Sequence, residues 1–175
     1  MLSLLLERVH YDPVTGDMRW KPCGKHLFKN DHGWAVWHGK FAGKPVGKTT
    51  RGYRIVTITV DGKERYLQAH RVAWALVTGN WPEQEVDHED TDTANNRWCN
   101  LRLATSGQNA SNKNKDQRNR SGFKGVHQHT QNGNWIAQIG VGGKKRHLGV
   151  FDTPEAAAAA RASAAQIYHG QFARS

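Results

Sequence analysis

The stretch VDHEDTDTANNRWCNLRLATSGQNASN, residues 86–112, decides how this chain is expected to fold. Asp87 and His88 follow an apolar residue at the end of a predicted strand, and a loop dense in Asp and Asn comes next. Residues 100–105 read as a second strand, and a short helix capped by Thr105 or Ser106 carries Asn109. A strand, a loop, a strand and a helix in this order can fold around one small ion.

The polar residues of this stretch suit phosphodiester hydrolysis. A hard divalent cation on oxygen ligands stabilises charge on the phosphate and the leaving oxygen. A histidine that titrates near neutral pH can deprotonate water. An isolated Asp-His pair is usually only a hairpin end, so the interpretation depends on the whole set and its spacing.

The pieces AHR (69–71), VDH (86–88), NNR (95–97), NLR (100–102) and QN (108–109) resemble the phage and intron-encoded HNH endonucleases of the ββα-metal type. The segments YDPVTG and GYRIVTI extend the resemblance over most of residues 8–113. In that family the His is followed by an Asn 12 residues later and by another after 9 more, which are Asn100 and Asn109 here.

The resemblance implies a role for each member of the set. His88 would be the general base, and Asp87 and Asn109 the protein ligands of one Mg²⁺, with Mn²⁺ as a substitute. Asn100 would brace the loop and help to orient the histidine, while Asn95 and Asn96 shape the loop. For His70 a structural hydrogen bond and a phosphate contact stay equal alternatives.

The C-terminal part carries separate signals. Residues 135–141 and 144–148 flank Gly142-Gly143, a hairpin signal, and residues 123–129 read as a preceding strand. Thr153 as N-cap, Pro154 at the first helical position and Gly170 after the last turn delimit a helix. A three-stranded antiparallel sheet packed on one helix is therefore expected.

SGFKGV (121–126), NWIAQI (134–139), HLGVFDT (147–153) and EAAAAA (155–160) resemble the plant ethylene-response-factor, or APETALA-two, type of DNA-binding domain. In that fold the sheet lies in the DNA major groove, which can admit such an element. The resemblance implies DNA contacts from Lys124, His127, His129, Gln138, Lys144, Lys145, Arg146 and His147. Trp135 faces either the DNA or the helix, and strand alternation favours the helix.

Charge is distributed unevenly along the chain, whose net charge is +10. Residues 1–100 carry 14 Lys and Arg against 12 Asp and Glu, whereas residues 101–175 carry 11 against 3. This excess predicts a polyanionic partner, double-stranded DNA, although a solvated basic surface is the alternative. Within the polar run NKNKDQRNRS, the expected phosphate contacts are Lys113, Lys115, Arg118 and Arg120.

The spacing of the cysteines and the hydropathy of the chain narrow the class of protein further. Cys23 and Cys99 stand far apart and outside any C-x-x-C pair, so no structural zinc is expected. A reducing cytoplasm is the simplest compartment, that of the host cell if the chain is phage-encoded. No membrane span or signal peptide is expected. Nothing in the sequence decides the oligomeric state, and a monomer is favoured.

These features together predict an α+β protein. Residues 1–113 are expected to form an HNH endonuclease domain with N-terminal β-hairpins and a ββα-metal core at about 84–113. A basic linker, 114–120, would join it to a DNA-binding domain at 121–175. The predicted activity is divalent-metal-dependent hydrolysis of DNA by nicking or double-strand cleavage. The alternative is a DNA-binding regulator with a non-catalytic HNH domain.

Overall fold

Short hairpins and helices build the chain in the computed structural model, which describes residues 1–113, 119–131 and 133–173. The first of two compact units spans residues 1–103. Its elements are α1 (Leu2–Arg8), β1 (Val9–Tyr11), β2 (Met18–Trp20), α2 (Asp31–Phe41), β3 (Lys48–Thr50), β4 (Tyr53–Val60), β5 (Lys63–Gln68), α3 (Ala69–Thr78), β6 (Glu85–His88) and β7 (Leu101–Ala104), whose last residue lies past the unit's end.

The second unit, residues 104–175, contains α4 (Ser106–Asn112), β8 (Val126–Gln128), β9 (Trp135–Val141), β10 (Lys144–Phe151) and α5 (Pro154–His169). Short 3-10 turns lie at Lys25–Leu27, Trp98–Asn100 and Gly170–Phe172. Helices and small antiparallel sheets thus occur in both units, and the α+β class predicted from the sequence is confirmed.

An Asp-Gly turn sets the register of the central sheet in the first unit. Asp61 and Gly62 have φ angles of 51° and 74°, the pair of left-handed residues that a type I′ hairpin needs. The turn joins β4 to β5, and β3 completes a three-stranded antiparallel sheet. Val56 and Ile58 of β4 and Val72 of α3 are buried in one apolar core. That core forms the base on which β6 lies.

The N-terminal hairpin pairs β1 with β2, as the sequence predicts. The carboxylate of Asp12 accepts hydrogen bonds from the backbone N–H of Val14 and from the hydroxyl of Thr15, both at 2.9 Å, which closes the turn. Tyr11 and Trp20 are buried, so the strands are fixed against the rest of the unit.

Helix α2 lies in residues 21–52, a segment rich in Gly and Lys whose sequence does not predict a clear structure. Its N-cap is Asn30, whose side chain accepts a hydrogen bond from the N–H of Gly33 at 2.8 Å. None of its residues is buried, although Trp37 and Phe41 contact the edge of Trp20. A helix without a buried face lacks the apolar periodicity by which helices are recognised.

In the second unit the sheet order is β10-β9-β8, all antiparallel. Ala137 and Ile139 of β9 are buried on the face that α5 covers, and small residues such as Ala157 allow the close approach. The hydroxyl of Thr153 accepts a hydrogen bond from the N–H of Ala156, so the predicted helix start is confirmed.

The packing boundary differs from the predicted domain boundary. The sequence places α4 at the end of the nuclease domain, yet residues 104–113 pack with the second unit. The functional division at residues 113 and 121 stays a prediction.

Strand β8 begins at Val126, directly after Gly125. Gly125 has a φ of 70° and lies against β9, where an added Cβ would approach the Gln138 carbonyl oxygen to 2.4 Å.

Candidate active site

Strands β6 and β7 form a two-stranded sheet that presents the Asp87–His88 pair. Asp87 and His88 are each only 5% exposed, which is rare for polar side chains and requires partners. The loop between the strands, residues 89–100, closes over them. The backbone N–H of Glu89 donates to the carbonyl of Asn100 at 2.9 Å, so the two ends of the loop meet.

Asp87 forms an ion pair across the two strands. Nε of Arg102 donates to Oδ2 of Asp87 at 3.0 Å, and both side chains are largely shielded from water. A second guanidinium nitrogen lies 4.0 Å from the carboxylate of Glu89. Arg102 therefore fixes the carboxylate of Asp87, which the sequence predicts to be a metal ligand.

His88 is held by an asparagine. Its Nε2 lies 3.2 Å from Oδ1 of Asn96, a residue that is 2% exposed. The ring of His70 meets the His88 ring edge-on, with centroids 4.8 Å apart and planes at 80°. Tyr53 contacts the same two rings at 5.6 and 6.4 Å. The imidazole of His88 thus lies among aromatic rings on one side and an amide on the other.

His70 lies near the start of α3 and is 5% exposed. Burial, together with the nearby His88 and Arg71, lowers the pKa of His70 to about 3. The ring is consequently neutral at physiological pH, and its contacts are with other rings. This placement favours a structural role over a contact with phosphate.

Asn100 braces the loop. Its Oδ1 accepts from the N–H of Asp90 at 3.0 Å, and its Nδ2 donates to Oδ1 of Asp90 at 2.9 Å and to the carbonyl of Asn95 at 2.8 Å. Burial alone would raise the pKa of Asp90, but the hydrogen bonds from Asn95 and Asn100 lower it. A residue in hydrogen-bond contact with His88 is Asn96, which the sequence predicts only to shape the loop.

Asn109 lies on α4 in the second unit and is partly exposed. A capping box fixes the start of this helix: Thr105 accepts from the N–H of Gln108, and the Gln108 side chain accepts from the N–H of Thr105. At the other end, Nζ of Lys124 donates to the carbonyls of Ser111 and Lys113. Lys124, expected on the DNA-facing surface, thus contacts α4.

The two side chains predicted to hold a metal carry the donor atoms that a hard cation prefers. Asp87 and Asn109 offer carboxylate and amide oxygens, which Mg²⁺ prefers to nitrogen or sulfur. Over residues 1–113, 119–131 and 133–173 no three His, Cys, Asp or Glu residues gather as a metal cluster. A metal with few protein ligands is compatible with Mg²⁺, which retains waters and takes substrate oxygens.

The sheet of the second unit has one face open to solvent. Gln138 lies opposite the buried side of β9, and the strand register places His147 beside Gln138 and Lys145 beside Gly140. His127 of β8 shares this face, with its Nδ1 3.5 Å from the Gln138 amide. Three of the predicted DNA contacts therefore share one open face with Gln138.

Other predicted contacts lie elsewhere. Arg146 is paired with the buried Ile139 and its guanidinium lies over the ring of Tyr168 on α5, at 5.2 Å, so it points toward the helix side of the sheet. Lys144 is exposed on that same side, beside Val141. Nδ1 of His129 accepts from the N–H of Gln131 and shapes the turn before β9.

In the basic run that joins α4 to β8 within the second unit, Lys113 and Arg120 are exposed, whereas Lys115 and Arg118 lie outside the described residues. Trp135 packs with the cluster of Val126, Ala137 and Ala157, which confirms the choice made from strand alternation.

Two contacts of the site were not foreseen from the sequence, the Asn96–His88 hydrogen bond and the Asp87–Arg102 ion pair. Arg102 could have been found, since antiparallel strands place opposite charges side by side on one face. The contact of Asn96 depends on the path of a 12-residue loop, residues 89–100, for which the sequence carries no periodic signal.

Comparison with known proteins agrees with part of this description. A model of the HNH endonuclease family matches residues 67–111, which contain α3, β6, β7 and most of α4. The matched segment, about a quarter of the chain, is similar to the HNH endonuclease family, in agreement with the resemblance seen in the sequence.

Over 135 residues the chain is 30% identical to the AP2-like ethylene-responsive transcription factor PLT2 of Arabidopsis thaliana, an alignment covering 71% of this chain and 22% of that protein. The chain thus spans about a fifth of the length of this relative. A solved structure, titled DNA binding and cleavage by the HNH homing endonuclease I-HmuI, aligns with this chain at 18% identity and a TM-score of 0.40. The alignment covers 93% of this chain and 85% of the chain in that structure. The ethylene-response-factor resemblance stays a prediction.

None of the helices in the described parts of the chain is long and apolar enough to cross a membrane.

Proposed function

We propose that this chain is a divalent-metal-dependent DNA endonuclease in which His88 is the general base. The observation that carries the proposal is the buried Asp87–His88 pair, fixed by Arg102 and Asn96 inside a segment that matches the HNH endonuclease family. Such burial of polar groups costs folding free energy, and sites of catalysis are where proteins accept that cost.

Hydrolysis requires two proton transfers. His88 takes a proton from water as the water oxygen bonds to phosphorus, and the bond from phosphorus to the leaving oxygen breaks. The leaving oxygen then gains a proton from solvent. General-base catalysis of this kind contributes about 10²–10⁴-fold. It requires an imidazole with a fixed orientation, which the rings of His70 and Tyr53 and the Asn96 amide favour.

Asp87 and Asn109 are the proposed ligands of one Mg²⁺, with Mn²⁺ as a substitute. When bound, the ion would stabilise the negative charge of the phosphate and of the leaving oxygen. Arg102 orients the Asp87 carboxylate through the 3.0 Å contact to Oδ2. Asn109 is proposed on its sequence spacing and its amide oxygen. Asn100 keeps the loop closed through Asp90 and Asn95.

The second unit is proposed to bind double-stranded DNA. Residues 104–175 carry 10 Lys and Arg against 3 Asp and Glu, an excess suited to phosphates. Gln138, Lys145 and His147 lie on an open sheet face, and a sheet can enter the major groove. Lys144, Lys113 and Arg120 are proposed to contact the backbone, which supplies affinity without sequence information.

A DNA-binding regulator with a non-catalytic HNH domain is the second candidate. The observation in its favour is the similarity to a plant transcription factor over 71% of the chain. A regulator has no need of a buried, hydrogen-bonded imidazole beside a carboxylate, so the nuclease explains more of the structure.

Incubation of the full chain with supercoiled plasmid and Mg²⁺ separates the two candidates. The endonuclease produces nicked or linear plasmid, EDTA stops the reaction, and excess Mg²⁺ restores it. The order in which nicked circles and linear DNA appear distinguishes nicking from double-strand cleavage. Retarded plasmid that stays supercoiled with Mg²⁺ and with Mn²⁺ would establish the regulator instead, and cleavage that EDTA leaves unchanged would contradict the metal requirement.

A further inference from the structure

Asn96 is the most buried of the loop residues between β6 and β7. It is 2% exposed, compared with 8% for Asn100. Residues with short polar side chains usually lie at the surface, and a buried amide needs partners for its oxygen and nitrogen. The partners of Asn96 indicate what the residue does.

The hydrogen bonds of Asn96 define which way its amide points. Nδ2 donates to the carbonyl of Ala94 at 3.2 Å, so the amide nitrogen faces its own loop. Oδ1 therefore faces His88, whose Nε2 lies 3.2 Å away. An amide oxygen can only accept a hydrogen bond, so Nε2 of His88 must be the donor.

The bond to Asn96 constrains the imidazole of His88. In a neutral histidine one ring nitrogen carries the proton and the other carries the lone pair. With the proton on Nε2, the lone pair resides on Nδ1, and the ring cannot turn over without losing its bond to Asn96. Asn96 thus selects both the tautomer and the orientation of the ring.

The N-terminal hairpin in turn fixes Asn96. The Tyr11 hydroxyl donates to the backbone carbonyl of Asn96 at 2.7 Å, and the carbonyl of Pro13 accepts from the N–H of Trp98 at 2.9 Å. Burial, with Asp12 and Cys99 nearby, raises the pKa of Tyr11 to about 12, so its hydroxyl stays a donor.

The approach of the hairpin is close. At Gly16, where φ is 78°, an added Cβ would lie 2.6 Å from the Arg97 nitrogen and 2.7 Å from the Asn96 carbonyl carbon. Only glycine fits this contact, because both the backbone conformation and the space exclude a side chain. Tyr11, Pro13 and Gly16 therefore hold three consecutive loop residues, 96–98, from one side.

We propose that Asn96 is the positioning residue that fixes the ring orientation and tautomer of His88, and that the β1–β2 hairpin acts on the site by holding Asn96. The proposal rests on the proposed function of His88 as general base. On this proposal the N-terminal hairpin takes part in catalysis, although the hairpin itself contributes no reacting group.

The ring N–H of His88 offers a readout independent of activity. In full-length protein labelled with ¹⁵N-histidine, at a pH where the imidazole is neutral, we expect a slowly exchanging N–H signal at Nε2 and a pyridine-type ¹⁵N shift at Nδ1. Asn96→Ala removes the acceptor, so the N–H signal should disappear through exchange with water. Asn96→Asp retains an acceptor and should retain the signal.

Kinetics give the second readout. Asn96→Ala should lower kcat about 10²-fold with little change in KM, because misplacing a catalytic group by about 1 Å costs that much. Asn96→Asp should recover most of kcat. Tyr11→Phe, which deletes one hydrogen bond to the loop, should lower kcat roughly fivefold.

Two variants serve as controls. Asn95→Ala removes the adjacent amide, which donates to Asp90, and Tyr66→Phe removes an exposed hydroxyl elsewhere in the same unit. Neither should alter the His88 N–H signal. Persistence of that signal in Asn96→Ala, or an equal loss in Asn95→Ala, would overturn the proposal. If Asn96→Ala does not fold, Tyr11→Phe decides instead, and a kcat equal to that of the wild type in this variant would overturn the proposal. A wild-type chain that shows the signal but never cuts DNA would refute the proposed function and leave the tautomer assignment standing.

Discussion

The two units place their polar groups in opposite ways. In the first, Asp87, His88 and Asn96 are buried and bonded to one another or to fixed neighbours. In the second, Lys145 and His147 stand exposed on an open sheet face. Burying polar groups is costly and restricts their geometry, whereas exposed cations contribute little to folding and remain available to phosphates. Under the proposed function, the contrast places the general base in the first unit and most of the DNA affinity in the second, where Asn109 of α4 is the one residue proposed to serve the chemistry.

Charge follows the same division. Residues 1–103 carry 15 Lys and Arg against 12 Asp and Glu, and residues 104–175 carry 10 against 3. A nearly balanced unit cannot supply most of the electrostatic attraction to a duplex, while a strongly basic one can. Variants of His88 and of the residues that hold it should therefore change turnover, and variants of the exposed lysines of β10 should change binding.

The largest effect is expected from His88→Ala. Loss of the general base should lower kcat by about 10²–10⁴-fold, with the Kd for duplex DNA nearly unchanged. Single-turnover cleavage and a binding titration on the same DNA measure the two quantities. A variant that still cuts at the wild-type rate would show that another group deprotonates the water.

Acid should destabilise the first unit through His70. An unfolded histidine takes up a proton near pH 6.5, but burial first, and then His88 and Arg71, lower the pKa of folded His70 to about 3. Between these values the unfolded state binds more protons, so the free energy of unfolding should fall by about 3 kcal/mol between pH 6.5 and pH 4.

Urea unfolding at a series of pH values measures this effect. His70→Gln should flatten the pH dependence, whereas His10→Gln, at an exposed position, should keep the wild-type slope. Equal slopes in wild type and His70→Gln would show that the His70 ring does not carry the effect.

Lys144→Gln combined with Lys145→Gln should weaken DNA binding and leave kcat at saturating DNA unchanged. Removing one cation from a phosphate reduces the slope of log K against log salt concentration by about 0.9, so neutralising both lysines should reduce it by about 2. The matched control neutralises Lys63 and Arg65, exposed on β5 of the first unit. If the control changed the slope as much as the β10 pair, affinity would not reside in the second unit.

The smallest effect is expected from Thr153→Ala. Its hydroxyl caps α5 by accepting from the Ala156 N–H at 3.2 Å, and loss of such a cap costs about 1 kcal/mol. Thermal unfolding should show the second unit destabilised by this amount, with cleavage of saturating DNA unaltered. A decrease in kcat would show that the two units do not divide their tasks in this manner.

Local signals account for the parts of the fold that the sequence predicts. Asp61-Gly62 defines a hairpin because both residues tolerate positive φ, and Thr153-Pro154 defines a helix start. Helix α3 is likewise delimited by local signals, an apolar stripe and Gly79 at its C-terminal end. Helix α2 buries no residue and so leaves no such pattern.

The candidate site could be predicted as a set of residues but not as a set of contacts. Spacing points to Asp87, His88 and Asn100, and all three are buried. The Asn96–His88 bond depends on where the N-terminal hairpin holds a distant loop, through Tyr11 at a separation of 85 residues. No local propensity encodes such a contact, since it arises from tertiary packing alone.

The division of tasks is tested most directly by measuring the rate of plasmid cleavage in Mg²⁺ at a series of DNA concentrations. The proteins to compare are the wild type, His88→Ala and the variant in which both Lys144 and Lys145 are replaced by Gln. We predict that His88→Ala loses kcat at every DNA concentration, while the double variant regains the wild-type rate once DNA is saturating and differs only in KM. A double variant that stays slow at saturation, or a His88→Ala protein that recovers there, would contradict the account.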